Sequence, residues 1–243
     1  MATTLETLIR DNSDALAELQ QRIGYRFRDI LPLQLALIHS SFAFERMKTV
    51  SHNEMQEFLG DAVLDLTLGH ILFTRFPKRR EGELTRIRAA LVNEGGLADM
   101  ARAVGLGDFL LLGHGEEVSG GRQKPSILSC AYEAVVGALF LDGGYDAALE
   151  FVRHWFEPLL EKHIEVLLAG DAKSGLQELL QEKYNEGPLY ILEEEQGPAH
   201  ARVFIVSVQF QGEQLGRGRA SSKKEAEQKA AGAALGYLQA KNT

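Results

Sequence analysis

The chain has a single cysteine, Cys130, which excludes an internal disulfide framework and a cysteine-rich zinc site. Long apolar runs are missing as well. None approaches the roughly 18 residues of a membrane helix, so no membrane partner is expected. The opening stretch MATTLETLIRDNSD mixes acids with polar residues and lacks the apolar core of a secretion signal. A soluble, cytoplasmic protein is the expectation. Internal repeats and low-complexity tracts are absent, and positive charge is in deficit. The 26 Lys and Arg face 34 Asp and Glu, a formal net charge of −8. Taken whole, that is the wrong sign for a nucleic-acid binder.

What is present amply supports a folded protein. Hydrophobic residues make up 45% and charged residues 25% of 243 positions, which rules out wholesale disorder and suits one large domain or two ordinary ones. The acidic excess is also unevenly spread. Residues 1–172 carry 17 bases and 25 acids, whereas residues 173–243 carry nine of each. In that last part Arg217, Arg219, Lys223, Lys224 and Lys229 crowd a short stretch, well after Glu193, Glu194 and Glu195. A local field of this kind can bind an anion whatever the whole-chain charge.

Apolar residues at three- and four-residue spacing predict helices over 5–23, 33–44, 53–76, 83–104, 127–141 and 146–168. Pro77, Gly105 with Gly107, and Gly143-Gly144 supply the breaks. A short linker at 169–172 separates residues 1–168 from 173–243. Beyond it the pattern predicts a helix over 174–184, strands over 189–192, 202–210 and 214–220, and a last helix capped by Ser221 or Ser222. Phe204, Val206, Val208 and Phe210 share one strand face, Gln211-Gly212-Glu213 reads as a hairpin turn, and Ala226, Ala230, Ala234 and Leu238 share a helix face. The expected fold is an all-α domain followed by a small α+β domain of order α-β-β-β-α. The glycine-rich stretch 113–121 lacks the ending of a phosphate-binding P-loop and follows no strand, so it reads as a plain loop.

The chemistry concentrates in HNEMQEFLGDAVLDL, residues 52–66. At about 100° per residue, Glu54, Glu57, Asp61 and Asp65 fall within an arc of about 80°. No Lys or Arg at i,i+4 within the helix relieves them. A solvated acidic face explains the stripe; so does a site for a hard cation such as Mg²⁺, which takes carboxylate oxygens, water and substrate phosphate. Gly60, inside this helix, costs about 1 kcal/mol against alanine and therefore calls for a packing or functional reason. Glu133 is the only charge in an otherwise apolar helix, where either an arginine or a metal would have to partner it. The two helices together favour a converging carboxylate cluster.

NEMQEFLGDAVL (53–64) closely resembles the signature of bacterial ribonuclease III. ALIHSSFAFE (36–45), LTRIRAALVNEGGLADMA (84–101), LLGHGEEVSGGRQKPSILS (111–129) and YEAVVGALFLDGG (132–144) resemble that family's neighbouring segments in the same order. The resemblance implies a homodimeric Mg²⁺-dependent endonuclease, Mn²⁺ being able to substitute, that cuts double-stranded RNA, including ribosomal precursors and other structured RNAs. It implies Glu57, Asp61 and Glu133 as metal ligands, with Asp61 and Glu133 catalytic, and Glu54 as a substrate-handling residue at the dimer cleft. Phe58 matches an aromatic that plugs into the partner subunit; an ordinary core phenylalanine is the alternative. The family usually carries Asp where this chain has Cys130. A thiol is a poor partner for Mg²⁺, and a buried small hydrophobe is the reading favoured for it.

Residues 173–240 resemble a double-stranded-RNA-binding domain in KSGLQELLQEKY, GPAHARVFIVSV and GRGRASSKKEAEQKAAGAAL. Ser174, Gln177 and Gln181 lie on one helix face, suited to 2′-hydroxyls. Pro198 and His200 lie in the loop that the family inserts in the next minor groove. Lys223 and Lys224 stand at a helix N-terminus, where the dipole also favours phosphate, with Lys229 further along. Two rival functions remain open to this sequence. One is an RNA-binding protein with an inactive nuclease fold. The other is a di-iron helical bundle, which would need Glu-x-x-His pairs that Glu150…His154 and Glu161…His163 do not supply.

Overall fold

A computed structural model describes residues 4–47, 52–169, 172–198 and 202–241, with backbone alone for 161–169 and 239. The chain divides into two compact units, Met1–Glu161 and Lys162–Thr243. Among the described residues the first is built from helices, with one isolated bridge between Ile38 and Leu111: α1 (Leu5–Asp11), α2 (Ser13–Ile23), α3 (Leu31–Ala36), α4 (Ser40–Arg46), α5 (Glu54–Arg75), α6 (Glu81–Leu91), α7 (Glu94–Val104), α8 (His114–Val118) and the start of α9 (Pro125–Ala169).

Several helices expected as one are two. The 5–23 segment breaks at Asn12, and Asn93 caps α7 by accepting from the Gly96 N–H at 2.9 Å, which divides 83–104. The Asn93 side chain begins a new helix by taking up a free backbone N–H, whereas that of Asn12 makes no cap and donates to Gln34 Oε1 at 3.1 Å. The 113–121 stretch is not a plain loop, because it contains α8. Arg122 pairs with Glu117 and Lys124 with Glu116, each at 2.6 Å, and these pairs tie α8 to the residues that follow it.

In the opposite direction, 127–141 and 146–168 join into α9, interrupted only at Gly144 (φ 73°, ψ −164°). That backbone conformation is open to glycine and to few other residues. Beside the break, the Asp142 carboxylate accepts from Tyr25 Oη at 2.7 Å and from the backbone N–H groups of Arg28 and Asp29 at 3.0 and 2.9 Å.

The first half of α9 is the axis of this unit. Leu128, Ala131, Tyr132, Ala134, Val135, Val136, Ala138 and Leu139 are all buried to within 1%. A helix apolar on every side belongs at the centre of a core. Contrary to the sequence-based expectation, Pro125–Leu160 contains an 18-residue stretch apolar enough to cross a membrane, but 61% of that stretch is buried inside the protein. Its apolarity is therefore spent on the core.

In the second unit α10 (Ala172–Tyr184) precedes β1 (Leu189–Gln196), β2 (Val203–Phe210), β3 (Glu213–Ala220) and α11 (Lys223–Lys241). The strands form one antiparallel sheet in the order β1-β2-β3. Gln211 (φ 49°) and Gly212 (φ 83°) make the two-residue turn between β2 and β3, the geometry that matches strand twist. Val206 and Val208 are buried with Leu176, Leu180, Leu215 and the alanines of α11, and Phe204 and Phe210 pack on them. A Cβ on Gly218 would overlap the carbonyl oxygen of Ala226, so β3 presses directly on the alanine face of α11. Strand β1 continues past Leu192, where the sequence-based strand ended. A bulge between Leu192 and Glu194 and the pairs Arg217–Glu193 and Arg202–Glu195, both 2.7 Å, carry three successive glutamates along the sheet edge.

Candidate active site

The carboxylate helix and the apolar helix cross backbone to backbone. A Cβ on Gly60 would overlap the carbonyl of Glu133, and one on Gly137 would overlap the carbonyl of Gln56. Glycine at both positions lets α5 and α9 approach closer than side chains permit, which is the packing reason for a residue that disfavours helix. Gln56 adds a strut, its Nε2 donating to the Pro32 carbonyl at 2.9 Å.

This crossing brings Glu57 of α5 to Cys130 and Glu133 of α9, with one ligand atom from each lying within 4.8 Å of the others. All three are half-buried. The expected set was Glu57, Asp61 and Glu133; the gathered set has Cys130 in place of Asp61. Asp61 is exposed, yet near enough to act on Glu133. Burial first, then the negative charges of Asp61 and Glu57, push the Glu133 carboxyl up to about 7. Burial and the adjacent Glu57 carboxylate, a hydrogen-bond acceptor for its thiol, push Cys130 up to about 12. Cys130 is therefore a neutral S–H within the cluster rather than an isolated small hydrophobe.

The other acids of the stripe are differently placed. Asp65 pairs with Arg88 of α6 at 3.4 Å, and Glu54 is exposed with His52 3.6 Å away. The chemistry of the gathered donors fits a hard divalent cation, since two flexible carboxylates can be completed by water and a phosphate. Phe58 is 76% exposed, which excludes the core alternative. Met55, Phe44 and Leu141 are also exposed, and Met55 and Leu141 line an open depression of about 430 Å³ together with Leu31, Pro32 and Leu35 and the polar His52, Glu54 and Gln56.

In the second unit, Leu176 and Leu180 hold α10 to the core, leaving Gln177 and Gln181 exposed and Ser174 half-exposed on the opposite side. Pro198 is exposed after β1; His200 lies outside the described residues. Ser222 caps α11 by accepting from the Glu225 N–H at 3.3 Å. Lys223 and Lys224, in its first turn, are exposed and make no ion pair among the described residues. Lys229 pairs with Glu225 at 2.9 Å and Arg217 with Glu193, so the basic cluster is partly neutralised from within.

Two site residues had weak sequence signals. Gly137 stands four residues after Glu133 much as Gly60 stands three after Glu57, a parallel that single-helix patterning does not weigh. Cys130 was marked only as a departure from a family pattern.

Comparison with known proteins matches this architecture. Residues 31–159 fit the family model described as Ribonuclease-III-like, and residues 172–238 fit the Double-stranded RNA binding motif. The chain is 57% identical over 235 residues to Ribonuclease 3 of Desulfotalea psychrophila, covering 97% of this chain and 98% of that protein. It is similar to the crystal structure of the nuclease domain of ribonuclease III from Campylobacter jejuni, with 45% identity and a TM-score of 0.54 over 59% of this chain and 94% of that one. A second structure of that domain, with 45% identity and a TM-score of 0.53, covers 58% and 99% and is described for structural flexibility in the region involved in dimer formation.

The raised Glu133 carboxyl has a consequence for stability. A carboxyl whose folded value lies above its usual range near 4.5 favours folding below that range, and this contribution is lost as pH rises through about 7. Glu133→Gln removes the ionisation. In a chelating buffer the variant should melt above the wild type at pH 8, with the gap closing towards pH 5. A gap that does not vary with pH in thermal unfolding would show that Glu133 carries no such tension.

Proposed function

The chain belongs to the ribonuclease III family, and from that premise we propose that it hydrolyses phosphodiester bonds in double-stranded RNA with Mg²⁺, in processing ribosomal RNA precursors and other structured RNAs. The observation that carries this is the meeting of Glu57 and Glu133 across the glycine crossing, in a chain that also has an α-β-β-β-α unit fitting the double-stranded-RNA-binding model.

Glu57 and Glu133 are the residues that would hold Mg²⁺, with Asp61 at the exposed rim offering a further carboxylate to the ion or to its water. A bound divalent cation supplies Lewis-acid charge to the phosphodiester and makes water a stronger acid. The protein positions the reacting groups: the α5–α9 crossing fixes where the carboxylates stand, and their half-burial strengthens their hold on a cation. Glu54, exposed one turn before Glu57, is placed to meet the RNA strand. Ser174, Gln177 and Gln181 face 2′-hydroxyls, the loop with Pro198 and His200 enters the next minor groove, and Lys223 and Lys224 hold phosphates. Lys229, tied to Glu225, contributes less. Contacts of this kind read duplex shape rather than sequence.

Cutting both strands needs two sites, and the exposed apolar residues supply the surface for a homodimer. Phe58 of a second copy would enter the depression beside Met55 and Leu141. Contiguous exposed apolar side chains on a folded protein mark an interaction surface.

Three outcomes follow. Glu133→Gln should abolish cleavage of a labelled duplex while retaining duplex affinity, because it alters the metal site and leaves the α10 and α11 surfaces alone; undiminished cleavage at saturating Mg²⁺ would refute the site. Lys223→Ala with Lys224→Ala should weaken binding to all duplexes alike and lower the salt slope by about one unit per lysine, and an unchanged slope would mean that they touch no phosphate. Phe58→Glu would bury an unpaired charge at a cost of several kcal/mol. Sedimentation should then show monomers, and an intact dimer would reject the interface.

A further inference from the structure

The gathered cluster is chemically mixed: one sulfur and two carboxylate oxygens, each within 4.8 Å of the others. We propose that Glu57, Cys130 and Glu133 together bind thiophilic divalent cations, Zn²⁺ or Cd²⁺, with Cys130 Sγ as a direct ligand. This rests on the same cluster being the Mg²⁺ site, and it concerns which cations that site admits.

The geometry needs little adjustment. Zinc bonds of about 2.3 Å to sulfur and about 2.0 Å to oxygen set tetrahedral ligand atoms about 3.5 Å apart. The remaining gap is about one ångström, and each glutamate side chain has three rotatable bonds with which to close it. Cys130 and Glu133 stand one turn apart on α9, and the glycine crossing holds Glu57 of α5 against them, so the three donors are assembled before any ion arrives. Three protein ligands leave a fourth tetrahedral position for water.

The two classes of cation use this set differently. Mg²⁺ takes oxygen and leaves the thiol protonated, whereas a softer ion replaces the thiol proton. The S–H bond breaks, an S–metal bond forms and the proton passes to water, with no change of oxidation state. Both ions require the Glu57 and Glu133 carboxylates, so occupation by one excludes the other. A chain with a carboxylate at position 130 would lack this preference, since its donors would all be hard oxygens.

The test uses the metal-free full-length chain and Co²⁺, whose bond to a thiolate gives a charge-transfer absorption in the near ultraviolet that oxygen ligands do not. Titration should give this band with saturation at one Co²⁺ per chain. It should be lost in Cys130→Ser and Cys130→Ala, weakened at equal Co²⁺ in Glu57→Gln and Glu133→Gln, displaced by stoichiometric Zn²⁺, and displaced by Mg²⁺ only at large excess. Binding of Mn²⁺, followed by electron paramagnetic resonance, reports the oxygen ligands separately. A wild type that binds Mn²⁺ without ever showing the Co²⁺ band would overturn this inference and leave the proposed function standing. A chain that binds neither ion would overturn both. A band unaffected by either glutamate substitution would place the sulfur in some other site and also overturn the inference.

Discussion

The contact of α5 with α9 through Gly60 and Gly137 governs the rest of the nuclease unit. Side chains normally keep helix axes 8–10 Å apart. Removing the Cβ atoms at one crossing lets two backbones touch, and the carboxylates one turn away are carried inward with them. Each glycine weakens its own helix by about 1 kcal/mol. The compensation is partly in packing, since the buried residues of α9 surround the crossing, and partly in the placement of Glu57 and Glu133.

That placement is electrostatically uncomfortable. Glu133 is half-buried near two other acids, and burial with the charges of Asp61 and Glu57 pushes its carboxyl up to about 7. Cys130 eases the crowding because its thiol is neutral where another carboxylate would add a charge. Active sites are commonly the places where such like-charge pressure is retained, because a ligand or substrate later relieves it. Lower repulsion and a softer donor are two results of one substitution.

Much of this was legible in the sequence, and what was not has physical causes. Gly60 stood out because helix propensity makes an interior glycine expensive, and Glu133 because a lone charge in an apolar helix needs an explanation. The alternation from Phe204 to Phe210 and the Gln211-Gly212-Glu213 turn locate the hairpin, although Glu213 already belongs to β3 and the pairing shifts between Val208 and Gln209. The continuation of β1 past Leu192 is not legible in the sequence, since acids disfavour strands until Arg217 and Arg202 arrive from far along the chain to pair with them. Helix boundaries at Asn12 and Asn93 were missed because apolar spacing continued across them. Counting uninterrupted apolar residues does not reveal the span-length apolar stretch in α9, because small and hydroxyl residues lie between the larger ones. Cys130 and Asp61 could be ranked only in three dimensions, because both fall on the correct helix faces.

The charge layout bears on how such a chain meets RNA in a crowded solution of it. The whole acidic excess belongs to residues 1–172, while the free lysines stand at the start of α11. A negative surplus of this kind opposes the approach of any polyanion, whatever its sequence, whereas exposed lysines at a helix start attract one. Added salt screens both effects together.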